Sequence, residues 1–329
     1  MTTIEDLEAQ LREGLDRGVD RDIVVVYGDQ LQELGDPRGE LITIDLEIEQ
    51  SGGTPLLSRR RAELIESWLG AQRPNGAIRY GFLELDATSA DPVEQVRLAF
   101  GSKAARFTRS ITAVGPPKLL RETIHAIAEA PRPFLSRVTL RMWSEKDTPA
   151  MPEAASFTRA TPHLRCLEID ARKLFGRFEH PSIQRLRLSG FDAIQAELEL
   201  PALVELDLAL HCHLATSRSA PPDHLFRGLG NGMPKLTALD LSRNEPGYLD
   251  PHTLGGDTPI FELLIRLGCR DRLETLTLPT PRDPAHLASV RAAVRSMPAL
   301  RELTFARALD AERTLLTANF ARAGLQLNT

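Results

Sequence analysis

A short apolar pattern repeats seven times between residues 135 and 305, and it restricts what this chain can fold into more than any other feature. Each copy has apolar residues at its first, fourth and sixth positions, as at Leu236, Leu239 and Leu241. In six copies a proline lies two residues ahead of the first position. Such alternation is typical of a short strand whose fourth and sixth side chains point into a shared core. The first-position residues are Leu135, Leu164, Ile183, Leu203, Leu236, Leu273 and Leu300.

This pattern resembles that of leucine-rich-repeat proteins, in which units of roughly 20 to 30 residues stack side by side. The resemblance implies an α/β leucine-rich-repeat solenoid, a curved parallel sheet with helices on its convex side. Successive copies are spaced by 29, 19, 20, 33, 37 and 27 residues. Because short units are mixed with longer ones similar to ribonuclease-inhibitor-like repeats, we expect an irregular solenoid.

The residues ahead of the repeats follow a helical pattern instead. Apolar residues recur at three- and four-residue steps in four successive segments between residues 4 and 69. Asp20 and Asp36 are each placed to cap a helix, and Pro37 occupies the first helical position after Asp36. We therefore expect a small all-α domain at residues 1–73.

Within this domain, the segment from Tyr27 to Ile42 reads YGDQLQELGDPRGELI. It resembles the pattern YADWLxExGDPRGEFI of a short bacterial repeat-companion domain, which typically precedes repeats and often leucine-rich ones. The resemblance implies that residues 1–73 cap the solenoid, and it implies no chemistry. The ionic residues of the segment could form a site, but turn, cap and salt-bridge roles are the favoured interpretation for Asp29, Glu33, Asp36, Arg38 and Glu40.

The solenoid is predicted to occupy residues 74–329, with a C-terminal cap at about residues 310–329. Residues 80–85 fit the repeat spacing as a degenerate first strand that begins at Tyr80, and residues 107–114 predict another. A closing strand is predicted at residues 324–327. Helices or helical turns are predicted between the strands, at residues 117–130, 152–159, 191–198, 222–229, 259–267, 283–297 and 310–323.

Strand alternation also predicts which side chains lie on the concave face of the sheet, namely those at the third, fifth and seventh positions of each copy. The charge there changes sign from one repeat to the next, which favours a polar face that binds a protein partner through its charge pattern. The alternative is that opposite charges on neighbouring strands only offset one another. The candidate binding residues are Arg137, Arg141, Glu168, Asp170, Arg185, Arg187, Glu205, Asp207, Asp240, Thr275, Thr277 and Glu302.

These observations favour a non-enzymatic protein-interaction module or scaffold, and two other functions stay open. An enzyme or enzyme subunit could use the concave carboxylates or the cluster of His211, Cys212 and His213. Adjacent residues point in different directions, whereas zinc sites draw on separated ligand pairs, so we expect no metal, cofactor or catalytic residue here. The third possibility is a structural subunit of a homo-oligomer.

The bulk composition limits the partners further. The chain has 45 acidic and 40 basic residues, a net charge of −5, so we expect no general attraction to nucleic acid or anionic lipid. Its three cysteines are widely separated and do not suggest a disulfide framework. The acidic N-terminal segment lacks the apolar core of a secretory signal, and no apolar run approaches a membrane span. We therefore expect a soluble cytoplasmic protein.

Overall fold

A computed structural model describes most of the chain as two compact units. Unit 1 comprises Met1–Ser144 and Ala155–Cys166, and unit 2 comprises Glu145–Ala154 and Leu167–Thr329. The fold is mixed α/β, and its strands pair mostly in parallel. The described residues are 3–14, 20–70, 73–88, 91–142, 154–170, 177–189, 197–209, 232–243, 264, 267–281, 284–306, 316, 319–320 and 325–328.

Four helices come first in unit 1, as the sequence predicts. Asp20 accepts a hydrogen bond from the Asp22 amide and Asp36 accepts one from the Arg38 amide, so both predicted caps are confirmed. The chain leaves the third helix through Gly52, whose φ of 82° is open to glycine but strained for other residues. The helices are α1 (Ile4–Gly14), α2 (Arg21–Glu33), α3 (Pro37–Ser51) and α4 (Pro55–Leu69).

Unit 1 continues with strands in the order β1-β2-β3-β4. The first two form an antiparallel hairpin, and β2, β3 and β4 pair in parallel. Two helices, α5 (Pro92–Gly101) and α6 (Pro117–Ala128), connect the parallel strands. The strands are β1 (Gly76–Arg79), β2 (Phe82–Ala87), β3 (Thr108–Gly115) and β4 (Arg137–Met142).

The hairpin corrects one sequence prediction. Tyr80 was predicted to begin a degenerate repeat strand, but it lies in the turn between β1 and β2 with a φ of 51°. Its amide donates to Asp45 Oδ2 at 2.7 Å, which holds the turn against α3. The predicted strand at residues 107–114 is confirmed as β3, except that Phe107 ends a short 3₁₀ turn.

The described strands of unit 2 follow the repeat pattern. A helix, α7 (Ala154–Ala160), and strand β5 (Cys166–Asp170) lie where the two units meet in sequence. The order from there is β5-β7-β9-β10-β11-β12-β13, with β6 and β8 forming a separate two-stranded sheet. The remaining elements are β6 (Arg177–Glu179), β7 (Arg185–Ser189), β8 (Glu197–Glu199), β9 (Glu205–Ala209), β10 (Ala238–Asp240), β11 (Thr275–Pro279), α8 (Pro284–Arg295), β12 (Glu302–Ala306) and β13 (Gln326–Asn328).

The helices predicted between strands have mixed outcomes. Those at residues 117–130, 152–159 and 283–297 are confirmed by α6, α7 and α8. The prediction at 191–198 is wrong at its end, because Glu197 and Leu198 belong to β8 and pair with β6. Residues 191–196 and 222–229, and most of 259–267 and 310–323, lie outside the described chain. The predicted closing strand is confirmed by β13, which pairs in parallel with β12.

The apolar positions of the pattern form the core. Parallel pairing aligns Leu206, Leu239, Leu276 and Leu303 in one row, so equivalent repeat positions lie side by side. Burying such leucines contributes about 1.5 to 3 kcal/mol each relative to exposure. All fourteen fourth- and sixth-position side chains are between 0 and 4% exposed: Val138, Leu140, Leu167, Ile169, Leu186, Leu188, Leu206, Leu208, Leu239, Leu241, Leu276, Leu278, Leu303 and Phe305.

The segment from Tyr27 to Ile42 is held by buried polar contacts in unit 1. Arg38 is 5% exposed, and its guanidinium donates to both carboxylate oxygens of Asp36 and to Tyr27 Oη at 3.3 Å. Tyr27 Oη in turn lies 3.3 Å from Glu8 of α1, and Arg106 Nη2 reaches the same carboxylate at 2.7 Å. These contacts join α1, α2, α3 and the 3₁₀ turn before β3. They fit the turn, cap and salt-bridge roles favoured for this segment.

Strand β1 stands first in the strand order, and a side chain of α4 is hydrogen-bonded to its backbone. Arg61 Nη2 donates to the Ile78 carbonyl, while Arg61 Nε bonds Asp45 Oδ1 at 2.6 Å. Asp45 is 6% exposed and also accepts the Tyr80 amide, so it fixes both the arginine and the turn. This arrangement places a charged side chain on a backbone group of the first strand.

Candidate protein-binding face

The outward side chains of the unit 2 strands lie in two rows. Arg185, Glu205, Ala238, Thr275 and Glu302 align in the first row through the strand register. The second row aligns Arg187, Asp207, Asp240, Thr277 and Thr304 in the same way. We call these rows, together with Glu168 and Asp170 of β5, the outward face of unit 2.

Ten of the twelve predicted binding residues belong to this face. The other two, Arg137 and Arg141, are exposed on β4 of unit 1. On the face, the ten residues range from half-buried to exposed. Several seventh-position residues are more covered than alternation predicts, since Ser189 and Ala209 are each only 3% exposed.

An ion pair crosses the first row between two strands. Arg185 Nε lies 3.0 Å from Glu205 Oε2, and their side chains are 60% and 49% exposed. An ion pair exposed to this extent contributes about 1 kcal/mol or less to stability, because water screens it. The charges of this pair therefore remain accessible to a partner.

A more buried network crosses the second row around Arg187. Its Nη1 lies 3.3 Å from Glu168 Oε1 and its Nε lies 3.0 Å from Asp207 Oδ2, so the guanidinium bridges β5 and β9. The Nε contact lacks hydrogen-bond alignment and is therefore an ionic contact without a directed bond. The network shows that opposite charges on neighbouring strands offset one another here.

Arg243, in the turn after β10, completes this network. Its Nε donates to Asp207 Oδ1 at 2.9 Å and its Nη1 donates to Ser189 Oγ at 2.5 Å. The strand alternation did not identify Arg243, because the residue lies beyond the end of β10. Its long side chain extends back to the two neighbouring strands, β9 and β7. Asn328 of β13 was missed too, and its Nδ2 donates to Glu302 Oε1 at 2.6 Å.

Asp207 has an unusual environment for a carboxylate that contacts two arginines. Burial raises the pKa of Asp207 above its ordinary value, and the nearby Asp240 charge adds to the rise. The hydrogen bond and the charge of Arg243 oppose this rise without cancelling it. The second row thus brings Asp240 close enough to Asp207 to disfavour ionisation of the Asp207 carboxyl.

Carboxylates outnumber guanidiniums on the outward face. The face has the guanidiniums of Arg185 and Arg187, and Arg243 adds a third from the turn after β10; each lies beside a carboxylate. Asp240 accepts only the Ser242 amide, at 2.8 Å, among the contacts within the described chain. The six carboxylates are Glu168, Asp170, Glu205, Asp207, Asp240 and Glu302. The described face is therefore acidic even after its internal ion pairs are formed.

Groups suited to catalysis or metal binding do not converge in the described part of the chain. No three His, Cys, Asp or Glu side chains there are arranged to hold a metal ion. His211, Cys212 and His213 lie outside the described residues. Cys269 is buried, and burial raises the pKa of its thiol to about 11, which disfavours the reactive thiolate. No described helix is both long enough and apolar enough to cross a membrane.

Known proteins show little similarity to this chain. No protein-family model matches the chain, and no curated protein matches it significantly. A solved structure similar to it is the crystal structure of a Bacteroides fragilis protein, a Northeast Structural Genomics Consortium target. That protein is 12% identical, with a TM-score of 0.44, over 71% of this chain and 68% of its own.

Proposed function

We propose that this protein is a non-enzymatic protein-interaction module, built as a leucine-rich-repeat solenoid that binds a protein partner through the outward face of unit 2. The observation that carries the proposal is the alignment of polar side chains in two rows across parallel strands. Neighbouring strands are spaced by about 4.8 Å, so such rows present charges at fixed intervals on a rigid support. In this proposal the N-terminal helices act as a repeat-companion cap.

The charge of the face indicates the character of the partner. Six carboxylates against three guanidiniums favour a partner with a basic surface, because complementary charge speeds association and rejects like-charged proteins. We place the protein in the cytoplasm, because its three cysteines are widely separated in the sequence and do not suggest a disulfide framework. Catalysis is the weaker alternative, because the described polar groups are spread along rows rather than aimed at one enclosed point.

The experiment changes the charge pattern without changing the net charge. The double variant Arg185→Glu with Glu205→Arg reverses an ion pair on the face while keeping opposite charges side by side. The matched control is Arg177→Glu with Glu199→Arg on the small β6-β8 sheet, where the pair has the same 3.0 Å separation and similar exposure. Both variants should keep the thermal midpoint of the parent.

Chemical crosslinking in a cell extract, followed by quantitative mass spectrometry, then measures which proteins each variant captures. A partner should be recovered with the parent and with the control swap, and should be lost with the face swap. The same partner, once purified, should bind the parent more weakly as salt is raised, because exposed charges are screened over about 8 Å at physiological ionic strength. Equal recovery with both swaps would rule out the outward face of unit 2 as the binding surface.

A further inference from the structure

Unit 1 has a cleft of its own on the outward side of β2, β3 and β4. Its volume is about 830 Å³, within the range of pockets that hold drug-sized ligands. The residues that line it contribute an amide, two carboxylates, two hydroxyls and a guanidinium, from Asn75, Glu84, Asp86, Ser110, Thr112 and Arg137.

The strand register explains why the cleft is open. Glu84, Ser110 and Arg137 align in one row across the three strands, and Asp86 and Thr112 align in the next. The middle strand, β3, contributes only the short side chains of Ser110 and Thr112 to the cleft, and these form its bottom. Two strand spacings put the Glu84 and Arg137 backbones about 10 Å apart, so the longer side chains form opposite walls.

The two walls carry opposite charges that do not meet. Arg137 is exposed and makes no ion pair with any described residue, although Glu84 and Asp86 line the same cleft. Glu84 Oε1 lies 3.6 Å from Arg109 Nη1, and Asp86 Oδ1 accepts the Thr88 hydroxyl at 2.6 Å. Asp86 thus keeps one wall anionic although Glu84 is paired with Arg109. The other wall has a planar guanidinium that is not ion-paired with any described residue and is suited to a bidentate bond with a carboxylate.

We propose that this cleft binds the C-terminal segment of a peptide or protein that ends in lysine or arginine. The basic side chain pairs with Glu84 and Asp86, the terminal carboxylate pairs with Arg137, and the hydroxyls of Ser110 and Thr112 bond the amide groups of the peptide that lie beside them. A single terminal residue supplies both charges. The volume accommodates several residues, which favours a peptide over a free amino acid.

This site is independent of the proposed function, because it lies in unit 1 and uses none of the unit 2 residues. Peptide binding can therefore fail while partner capture by the outward face succeeds, and the reverse also holds.

Calorimetric titration of the full chain with acetyl-Gly-Gly-Lys tests the site. The free-carboxylate peptide should bind saturably, and its C-terminal amide and its norleucine analogue should each bind at least about tenfold more weakly, since each lacks one of the two charges. Arg137→Gln should weaken the peptide by a similar factor. Arg121→Gln, the same substitution at an exposed position of α6, should leave binding unchanged.

Three results would overturn the proposal: no saturable binding at low-millimolar peptide, equal binding of the amide, or equal binding of free lysine. Thermal midpoints of the two arginine variants, both exposed substitutions, verify that the fold is retained. A loss of binding with Arg121→Gln as large as that with Arg137→Gln would also contradict the cleft as the site.

Discussion

The guanidinium of Arg38 lies 3.5 Å from the centre of the Phe107 ring, over its face. Since Arg38 lies in the first turn of α3 and Phe107 precedes β3, this cation–π contact ties the helical segment of unit 1 to its first parallel strands. The same guanidinium donates to Asp36, the residue that caps α3. One buried side chain therefore supports both the start of a helix and its packing against the sheet.

Replacing Arg38 should destabilise unit 1 strongly. Arg38→Ala removes a buried cation and leaves Asp36 without its partner, so we expect a loss of about 3 kcal/mol in the free energy of unfolding. Arg38→Lys should lose about half as much, because an ammonium cannot reproduce the planar fork. Urea unfolding monitored by Trp68 fluorescence, in a Trp143→Phe background, measures both. Arg59→Ala, at an arginine that is 81% exposed, should change the value by about 0.5 kcal/mol at most.

Gly39 lies where α2 and α3 are in closest contact. A Cβ at Gly39 would stand 2.6 Å from the Gln32 nitrogen and 2.6 Å from the Gly28 oxygen, both backbone atoms. Gly39→Ala should therefore force the helices apart and cost about 1 to 3 kcal/mol. Gly101→Ala in α5, where nothing lies within 4 Å of the new methyl group, should be neutral or stabilise by about 0.5 kcal/mol. Similar unfolding free energies for the two alanine variants would contradict the described helix packing.

The contribution of Asp36 to stability should depend on pH. Burial alone would raise the pKa of Asp36, but the hydrogen bonds from the Arg38 side chain and amide, with the charges of Arg38 and Lys103, together lower this pKa below its ordinary value of 3.8. A lowered pKa means that the ionised carboxylate stabilises the fold above about pH 4, and that this stabilisation is lost as the pH falls through the folded-state pKa. Asp36→Asn should therefore be less stable than the parent at pH 6.

The difference between Asp36→Asn and the parent should shrink steadily between about pH 5 and pH 2, as followed by urea midpoints at a series of pH values. A difference that stays constant over this range would show that the charge of Asp36 contributes nothing and that only its capping hydrogen bond matters.

Leu239 tests the register of the unit 2 strands. Leu239→Asp places an unpaired carboxylate among side chains that are 0 to 1% exposed, including Leu206 and Leu276, so we expect a loss of several kcal/mol. A thermal melt should show a clear drop in midpoint, whereas Lys235→Asp in the exposed turn before β10 should leave it nearly unchanged. An unchanged midpoint for Leu239→Asp would refute the register.

The repeated leucine spacing allowed the unit 2 core to be predicted from the sequence. Burial of alternate side chains in a strand is a local property, so Leu206 and Leu239 can be assigned to the core from their neighbours alone. Helix caps such as Asp36 are local too, since the side chain bonds an amide two residues away. The predicted domain boundary after residue 73, the leucine-rich-repeat assignment and the binding face stay predictions.

Contacts between distant residues could not be predicted in this way. The spacing of Tyr80, Leu83 and Leu85 matches that of the repeats. The antiparallel pairing of β1 with β2 nevertheless places Tyr80 in a turn. The contact of Arg243 with Asp207 spans 36 positions, and no periodic pattern encodes it. The ion pairs of the outward face could be predicted, because opposite charges stand at equivalent positions of successive repeats and the strand register brings those positions together.

The contact between Arg61 and the Ile78 carbonyl has a consequence for how copies of this protein behave toward one another. A bare strand edge offers its amides and carbonyls to any extended chain, and sheets of different molecules can fuse there into aggregates. A guanidinium bound to that edge, and held in place by the buried Asp45, obstructs such growth. At the β1 end of the sheet, the contact between Arg61 and the Ile78 carbonyl therefore disfavours the addition of a strand from a second molecule.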